Sequence, residues 1–140
     1  EPRGRRCGCG NHGCLEQYAG QVGIITTLTE RGLSHLLAPE PSDAPRRLAE
    51  LADLGDATAS AIFADVGRAL GLAAAGAVHT LDITTIVLAG GIAGAFRHIA
   101  PAMHDELVRR TFRSMSEGVR ILEGSLGARA GVLGAAALTR

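Results

Sequence analysis

Three cysteines near the start of the chain constrain its fold more than any other feature. They occur in the segment Cys7-Gly-Cys9-Gly-Asn-His-Gly-Cys14, in which glycines separate the thiols and allow a tight turn. A disulfide framework normally uses an even number of cysteines that are spread along the chain. Thiolates that converge from a tight turn are typical zinc ligands, and three Cys with one His is a common structural set. The sequence therefore predicts a structural zinc site formed by Cys7, Cys9 and Cys14.

The sequence leaves the fourth zinc ligand open. His12 is one candidate, although it stands two residues before Cys14, and a residue upstream of Glu1 is the other. An open fourth position would also fit a catalytic zinc, but a structural role is favoured because the cysteines directly precede Glu16 and would fix its position. Inert thiols are a less favoured alternative. We expect a cytoplasmic protein for two reasons. Metal-bound thiols suit a reducing compartment, and the sequence shows no secretory signal, transmembrane run or lipidation motif.

Composition limits the chain to one domain, or to one lobe of something larger. The chain has 140 residues, of which 46% are hydrophobic but only 3% aromatic, so the core is expected to be aliphatic. The 14 acidic residues balance 14 basic ones, all of them Arg. A net charge of zero argues against non-specific nucleic-acid binding by this segment, and without Lys it offers no Schiff-base or phosphate-loop lysine.

The first part of the chain is predicted to be helical. Apolar residues at helical spacing over 15–31, interrupted near Gly20, predict two short helices. Three Pro within 38–45 predict a loop, after which Ser42 or Asp43 is expected to cap a helix with Leu48, Leu51 and Ala52 on its apolar face.

A long apolar helix is predicted to begin at Asp56, a second candidate cap. Its glycines at positions 67, 71 and 76 weaken a helix but let a neighbouring backbone come close. The apolar run over 69–78 is far shorter than the roughly 20 residues that a membrane span needs, so no membrane association is expected.

Strands are predicted in the second half of the chain. The β-branched segment 83–89 is expected to be buried on both faces, and Val119–Leu122 predicts a second strand. A helix with Phe96, Ile99, Met103 and Leu107, and with Pro101 in its first turn, lies between them, and a final helix is expected over about 128–138. This alternation predicts an α/β fold with parallel strands.

Two further features are candidate ligand contacts. Glu16 begins a short helix, where a carboxylate is favoured by the helix dipole, but a carboxylate can also accept hydrogen bonds from sugar hydroxyls. Gly90 and Gly91 follow a buried strand and precede a helix, so their backbone amides could face a phosphate or the adjoining ribose, although such a pair is more often simply a turn.

The other polar residues are predicted to be structural. Asp82 is expected in a turn. Core or surface roles are expected for the other histidines, no pair of which has metal spacing with a carboxylate: His35, His79, His98 and His104. The basic helix end formed by Arg109, Arg110 and Arg113 is interpreted as a solvated face that complements the helix dipole.

The segment CGCGNHGCLE resembles the Cys-x-Cys-Gly-x-x-Gly-Cys-x-Glu signature of the ROK family (repressors, open reading frames and sugar kinases). Segments 15–20, 84–93 and 126–137 are similar to later parts of the same family, in order, so the resemblance covers its C-terminal half. It implies that 1–140 is the C-terminal lobe of an actin-like (ribonuclease H-like) ATPase fold, with a zinc knuckle at 1–16 and an α/β lobe at 17–140. It also implies that zinc is bound by the three Cys with an upstream His.

The resemblance assigns roles to the candidate contacts. It implies that Glu16 contacts a hexose and that Gly90 and Gly91 contact ATP, with Ala89 in place of a third glycine, and that magnesium accompanies the nucleotide. The family's first phosphate-binding motif, Asp-x-Gly-x-Thr, and its catalytic Asp lie in the N-terminal lobe. Accordingly, no residue of this chain is predicted to be catalytic, and the chain alone is not expected to phosphorylate sugar.

Three functions follow from the resemblance. The first is a glucokinase-like sugar kinase that acts on glucose or a related hexose. The second is the sugar-sensing effector domain of a ROK repressor, in which DNA contact would come from a winged helix outside this chain. The third is a truncated product that only folds and binds zinc. A homo-oligomer is expected for the first two, and the start at Glu1 leads us to expect a chain cut just before its zinc knuckle.

Overall fold

The computed structural model describes residues 1–37 and 39–139, and at Ala128 the backbone only. Its α-helices are α1 (Glu16–Ala19), α2 (Gln21–Glu30), α3 (Ala44–Asp53), α4 (Ala57–Leu81), α5 (Phe96–Arg110), α6 (Arg113–Ser116) and α7 (Ala130–Ala137). The strands are β1 (Thr85–Leu88) and β2 (Arg120–Glu123). Short 3₁₀ segments span Ser34–Leu37, Pro41–Asp43, Gly91–Ala95 and Gly127–Arg129. The predicted segment 38–45 includes one residue outside the described part of the chain, and the predicted segment 17–140 includes two.

Helices α4 and α5 form the centre of the molecule. They pack closely because α4 carries glycine where α5 crosses it: a Cβ on Gly71 would lie 2.5 Å from the carbonyl oxygen of Met103, and one on Gly67 would overlap the carbonyl of Ile99. The expectation of a close backbone approach is confirmed at these two glycines. It is wrong at Gly76, where a Cβ would meet open space.

The core around this helix pair is aliphatic, as the composition predicts. Its largest fully buried side chains come from α2, α3, α4 and α5, and include Ile24, Leu48, Phe63, Ile99 and Leu107. Burial of such side chains stabilises the fold by about 1.5–3 kcal/mol each relative to their exposure.

Helix α4 has 25 residues and extends well beyond the apolar run of 69–78. Among the described residues it alone has the length and apolar composition that a membrane-spanning helix needs. Within its most apolar 18-residue stretch, 39% is buried. The same test is met by the core helix of a folded domain. Because the buried side of α4 runs along α5, we interpret α4 as a core helix.

The two strands pair in parallel, as predicted, with Thr85 opposite Arg120 and Leu88 opposite Glu123. The prediction that the first strand is buried on both faces is wrong in this chain. Leu88 is buried but Val87 is 56% exposed, since within the described residues the sheet has two strands and only one of its faces is covered.

The predicted helix boundaries are confirmed in part. The break at Gly20 separates α1 from α2, and Asp56 caps α4 by accepting a hydrogen bond from the amide of Ala59 at 2.8 Å. Asp82 ends α4 in the left-handed conformation, with φ of 50°, which confirms its structural role.

Three local predictions are wrong. Asp43 precedes α3 without a capping hydrogen bond, because its carboxylate lies instead 3.7 Å from the guanidinium of Arg46. The Pro-rich segment is not wholly irregular, since Pro41–Asp43 forms a 3₁₀ turn and α3 begins with Pro45 in its first turn, where the missing amide costs no hydrogen bond. Pro101 lies in the second turn of α5, not the first.

Candidate functional site

The three cysteine side chains converge, as the sequence predicts. Their sulfur atoms all lie within 4.8 Å of one another, and Cys9 Sγ lies 3.6 Å from Cys14 Sγ. The turn that brings them together is closed by backbone hydrogen bonds from Cys7 to Asn11 at 2.8 Å and from Gly10 to Cys7 at 3.0 Å. Gly10 and Gly13 have φ of 92° and 67°, a conformation that side chains other than glycine rarely adopt.

The pKa values of Cys9 and Cys14 are shifted in opposite directions by their surroundings. The backbone amide of Asn11 lowers the pKa of Cys9, and the neighbouring thiols Cys7 and Cys14 lower it further. Hydrogen bonding to Cys9, then to Cys7, raises the pKa of Cys14 to about 11. The two thiols are therefore not equivalent, since the fold favours the thiolate form of Cys9 over that of Cys14.

The donor set fits zinc. Three soft sulfur ligands within reach of a single ion match three of the four ligands of a structural zinc site. His12 lies outside the described group of converging ligand atoms, and its backbone forms a bridge with Arg6 instead. The geometry therefore favours a fourth ligand other than His12.

Glu16 is the first residue of α1 and follows the cysteines directly. Its side chain is exposed, and its Cγ lies 3.6 Å from the position a Cβ would occupy on Gly20. Arg5 contacts helix α1: its guanidinium donates a hydrogen bond to the carbonyl of Gln17 at 2.6 Å. The structure thus presents the Glu16 carboxylate at the surface, on a short element fixed by its neighbours.

The Gly90–Gly91 turn follows β1, as predicted, at the carboxyl end of the strand. Gly90 has φ of 88° and a Cβ on either residue would meet open space. The helix that follows does not begin there: a 3₁₀ segment, Gly91–Ala95, separates the turn from the first residue of α5. The turn therefore offers an unobstructed backbone but not the amino end of an α-helix.

Two adjoining grooves run past this turn. One, of about 330 Å³, lies between α3 and the 3₁₀ segment and is lined by Asp53, Phe63 and Gly94. The other, of about 360 Å³, is lined by Gly20, Gln21 and Ile24. Both contact Arg46 and Gly91. Gly91 therefore lines both grooves, and the second groove reaches Gly20, which the Glu16 side chain adjoins.

Sequence reasoning missed a polar cluster at the edge of these grooves. Asp53, the last residue of α3, accepts from Arg97 Nε at 2.8 Å and lies 2.6 Å from His98 Nε2. The guanidinium of Arg97, and then the ring of His98, lower the pKa of Asp53. His98 also stacks on Phe63 with ring centroids 6.0 Å apart. Arg97 and His98 follow Asp53 by 44 and 45 residues, so local sequence spacing does not predict these contacts.

The basic end of α5 is solvent-exposed, as predicted, but two of its arginines also have a partner that the sequence does not indicate. Arg109 and Arg110 both form ion pairs with Glu106, whose side chain is only 6% exposed. Arg110 and then Arg109 lower the pKa of Glu106. These arginines therefore neutralise a buried carboxylate, whereas Arg113 lies in α6 and pairs with Glu117 at 2.7 Å.

Known proteins resemble this chain throughout its length. A model of the ROK family matches residues 1–140. The glucokinase of Thermotoga maritima is 32% identical over 148 residues, which cover 100% of this chain and 46% of the glucokinase. The DNA-binding transcriptional dual regulator NagC of Escherichia coli is 30% identical over 143 residues, which cover 100% of this chain and 35% of NagC.

A solved structure has the same fold. A ROK family glucokinase from Streptomyces griseus, in complex with glucose and AMPPNP, superposes with a TM-score of 0.75 at 25% identity, covering 99% of this chain and 48% of that one. The chain spans less than half the length of these three relatives, at 35–48%. They include both sugar kinases and a DNA-binding regulator.

Proposed function

The chain belongs to the ROK family, and on that premise we propose that it supplies the sugar- and nucleotide-contacting lobe of an ATP-dependent kinase for glucose or a related hexose. The observation that carries the proposal is the pair of adjoining grooves that share Gly91, one of which reaches Gly20 beside the Glu16 side chain. An acceptor-only carboxylate thus adjoins one groove, and the open backbone of Gly91 lines both. The relative solved with glucose and AMPPNP supports this pairing of ligands.

Glu16 would bind the sugar through its hydroxyl groups. A carboxylate accepts several hydrogen bonds, and hydrogen bonds to charged groups contribute about 1.5–3 kcal/mol each. In phosphoryl transfer most of the catalytic effect comes from positioning and charge stabilisation. We therefore assign Glu16 the role of orienting the hexose, and we assign no residue of this chain as the general base.

Gly90 and Gly91 would bind the nucleotide. Both lack a side chain where the 3₁₀ segment begins, so phosphate or ribose oxygens could approach the backbone amides without obstruction. Ligands of parallel α/β sheets commonly bind at the carboxyl ends of the strands, where this turn lies. Magnesium would enter with ATP and bind mainly its phosphates.

Zinc would be held by Cys7, Cys9 and Cys14 together with a further ligand, and its role would be structural. A bound cation would neutralise the crowded sulfurs and lock the turn directly before Glu16. A reducing cytoplasm suits this thiolate site, and we propose that location.

A ROK regulator is the second candidate function. It is favoured by the identity to NagC, which at 30% is close to the 32% to the glucokinase. In that case Glu16 would still bind sugar, but the bound sugar would change DNA affinity and no phosphate would be transferred. DNA contact would come from a part of the protein outside this chain.

Oligomerisation is a further proposal. Helix α7, all of whose backbone is described, buries none of its side chains, and Val132 is 74% exposed. Phe112, at 72% exposed, adds to the apolar surface. Exposed apolar area of this kind marks contact surfaces, so we propose that the whole protein covers it and forms a homo-oligomer.

The kinase proposal is tested by incubating the complete protein that carries this chain with ATP, magnesium and glucose. Formation of glucose phosphate, with ADP released in equal amount, is the expected result. Failure to form sugar phosphate from any hexose, combined with sugar-dependent release of DNA, would overturn it in favour of the regulator. If the protein neither phosphorylates sugar nor releases DNA in response to sugar, the result would favour a product that only folds and binds zinc.

A further inference from the structure

Helix α1 is too short to hold Glu16 in place by itself. It has four residues, and a single turn of helix is not stable without tertiary contacts. Its carbonyl groups near the C-terminal end have no partner within the helix and need donors from elsewhere. The cysteine turn adjoins the start of α1, and the burial of Ala19 holds its far end. A donor to the carbonyl groups of α1 is a further anchor.

Arg5 supplies that anchor. Its Nη1 donates to the carbonyl of Gln17 at 2.6 Å, directly after Glu16. Its Nη2 donates to Thr27 Oγ1 at 3.0 Å, and its Nε to Glu30 Oε1 at 3.2 Å. One guanidinium therefore joins α1 to two residues of α2, which a single-point cation such as Lys could not do.

The surroundings of Arg5 fix its own position. Its backbone amide donates to the hydroxyl of Tyr18 at 2.7 Å, and its guanidinium carbon lies 4.9 Å from the centroid of the same ring. Its side chain is only 20% exposed. The corner between the helices is also tight, because a Cβ on Gly23 would lie 2.6 Å from the backbone of Tyr18. Arg5 is thus a fixed part of the support for α1.

We propose that Arg5 is a positioning residue that fixes the Glu16 carboxylate for sugar binding by locking α1 against α2. This inference rests on the proposed role of Glu16 and adds the residue that makes the role possible. Arg5 does not touch the sugar and is not a zinc ligand. Its loss should therefore affect sugar affinity while zinc stays bound.

The test uses the complete, zinc-loaded protein with Arg5→Met, which keeps the aliphatic length and removes the donors. The KM for glucose should rise about tenfold, whereas kcat, the KM for ATP and the zinc content should stay close to wild type. Arg31→Met is the matched control: Arg31 pairs with Asp65 near the same corner, and its loss should leave the KM for glucose unchanged.

A merely structural role would give a different pattern. It would lower the amount of folded protein and hence kcat, with both KM values unchanged, and that result would overturn the proposal. If Arg5→Met fails to fold, Arg5→Lys replaces it. This variant keeps the charge beside Glu30 but cannot reach all three acceptors, so the KM for glucose should rise about threefold. A wild-type KM in Arg5→Lys would contradict the proposal.

Backbone amide exchange separates this proposal from the proposed function. If the wild-type protein binds no glucose, the role of Glu16 is wrong, but exchange still reports whether Arg5 holds α1. Arg5→Met should speed exchange of the Tyr18 and Ala19 amides, which bond to Leu15, by about tenfold. Unchanged exchange at these amides would overturn the anchoring itself.

Discussion

Asp53 Oδ1 lies 2.6 Å from His98 Nε2, which joins the last residue of α3 to the first turn of α5. Arg97 binds the same carboxylate. Asp53 also lines the groove beside Gly91, between α3 and the 3₁₀ segment, so the cluster joins one wall of the candidate nucleotide site to α5.

The first prediction concerns the pH dependence of this cluster. The pKa of Asp53 is lowered in the fold by Arg97 and His98, so its contribution to stability is complete above the unfolded pKa of about 3.9 and is lost as the pH falls through the folded pKa. Asp53→Asn should lower the Tm at pH 7, and the difference from wild type should shrink below about pH 4. Thermal scans of Asp105→Asn, an exposed aspartate, provide the control. A difference that is independent of pH would contradict the assignment.

The second prediction concerns the contact between α4 and α5. Gly71→Ala would place a methyl group against the carbonyl of Met103, and overpacking of this kind costs about 1–3 kcal/mol in unfolding free energy. Gly76→Ala, on the same helix but facing open space, should instead stabilise by up to about 1 kcal/mol through helix propensity. Denaturant unfolding of the two variants should therefore give opposite signs, and equal signs would refute the packing argument.

The third prediction concerns the metal. Cys9→Ser removes one converging sulfur and should reduce zinc content, measured by elemental mass spectrometry, to background. His12→Ala should keep its zinc, because His12 lies outside the group of converging atoms. Zinc loss in His12→Ala would identify it as the fourth ligand, and full zinc in Cys9→Ser would remove the cysteine assignment.

Local sequence patterns predicted most of the elements of this fold. The spacing of apolar residues in α4, the cap at Asp56 and the parallel pairing of β1 with β2 are confirmed. These features depend on interactions within a few residues, or on the general rule that alternating helices and strands pair in parallel. The convergence of the three cysteines was also predictable, because it arises within one glycine-rich turn.

Features that depend on distant partners were not predictable. The contact between His98 and Asp53 is not predictable from local spacing, because the two residues are 45 positions apart. Arg109 and Arg110 do form a solvated face, but their pairing with Glu106 is not predictable, because the sequence does not show that Glu106 is buried. The anchoring of α1 by Arg5 likewise depends on how α2 folds back, which no local pattern specifies.

The fourth prediction concerns the nucleotide. Gly91→Gln would place a side chain in the open space beside the turn, so the KM for ATP of the complete protein should rise about tenfold. The Tm should change little, as expected for a surface substitution. Gly118→Gln, also in open space but outside the groove, is the control. A wild-type KM for ATP in Gly91→Gln would show that the nucleotide does not approach this turn.

The fifth prediction concerns the sugar and bears on the central claim. Glu16→Gln keeps the shape of the side chain and removes its charge, so it should weaken glucose binding without loss of zinc. Glu123→Gln, an exposed carboxylate on β2, is the control and should bind glucose as the wild type does.

Calorimetric titration of glucose into the complete, zinc-loaded protein is the most direct test of this account. We predict that the dissociation constant of Glu16→Gln is weaker than that of wild type and of Glu123→Gln by about tenfold or more, the loss expected when a hydrogen bond to a charged group is weakened. Equal glucose affinity in wild type and Glu16→Gln would contradict it.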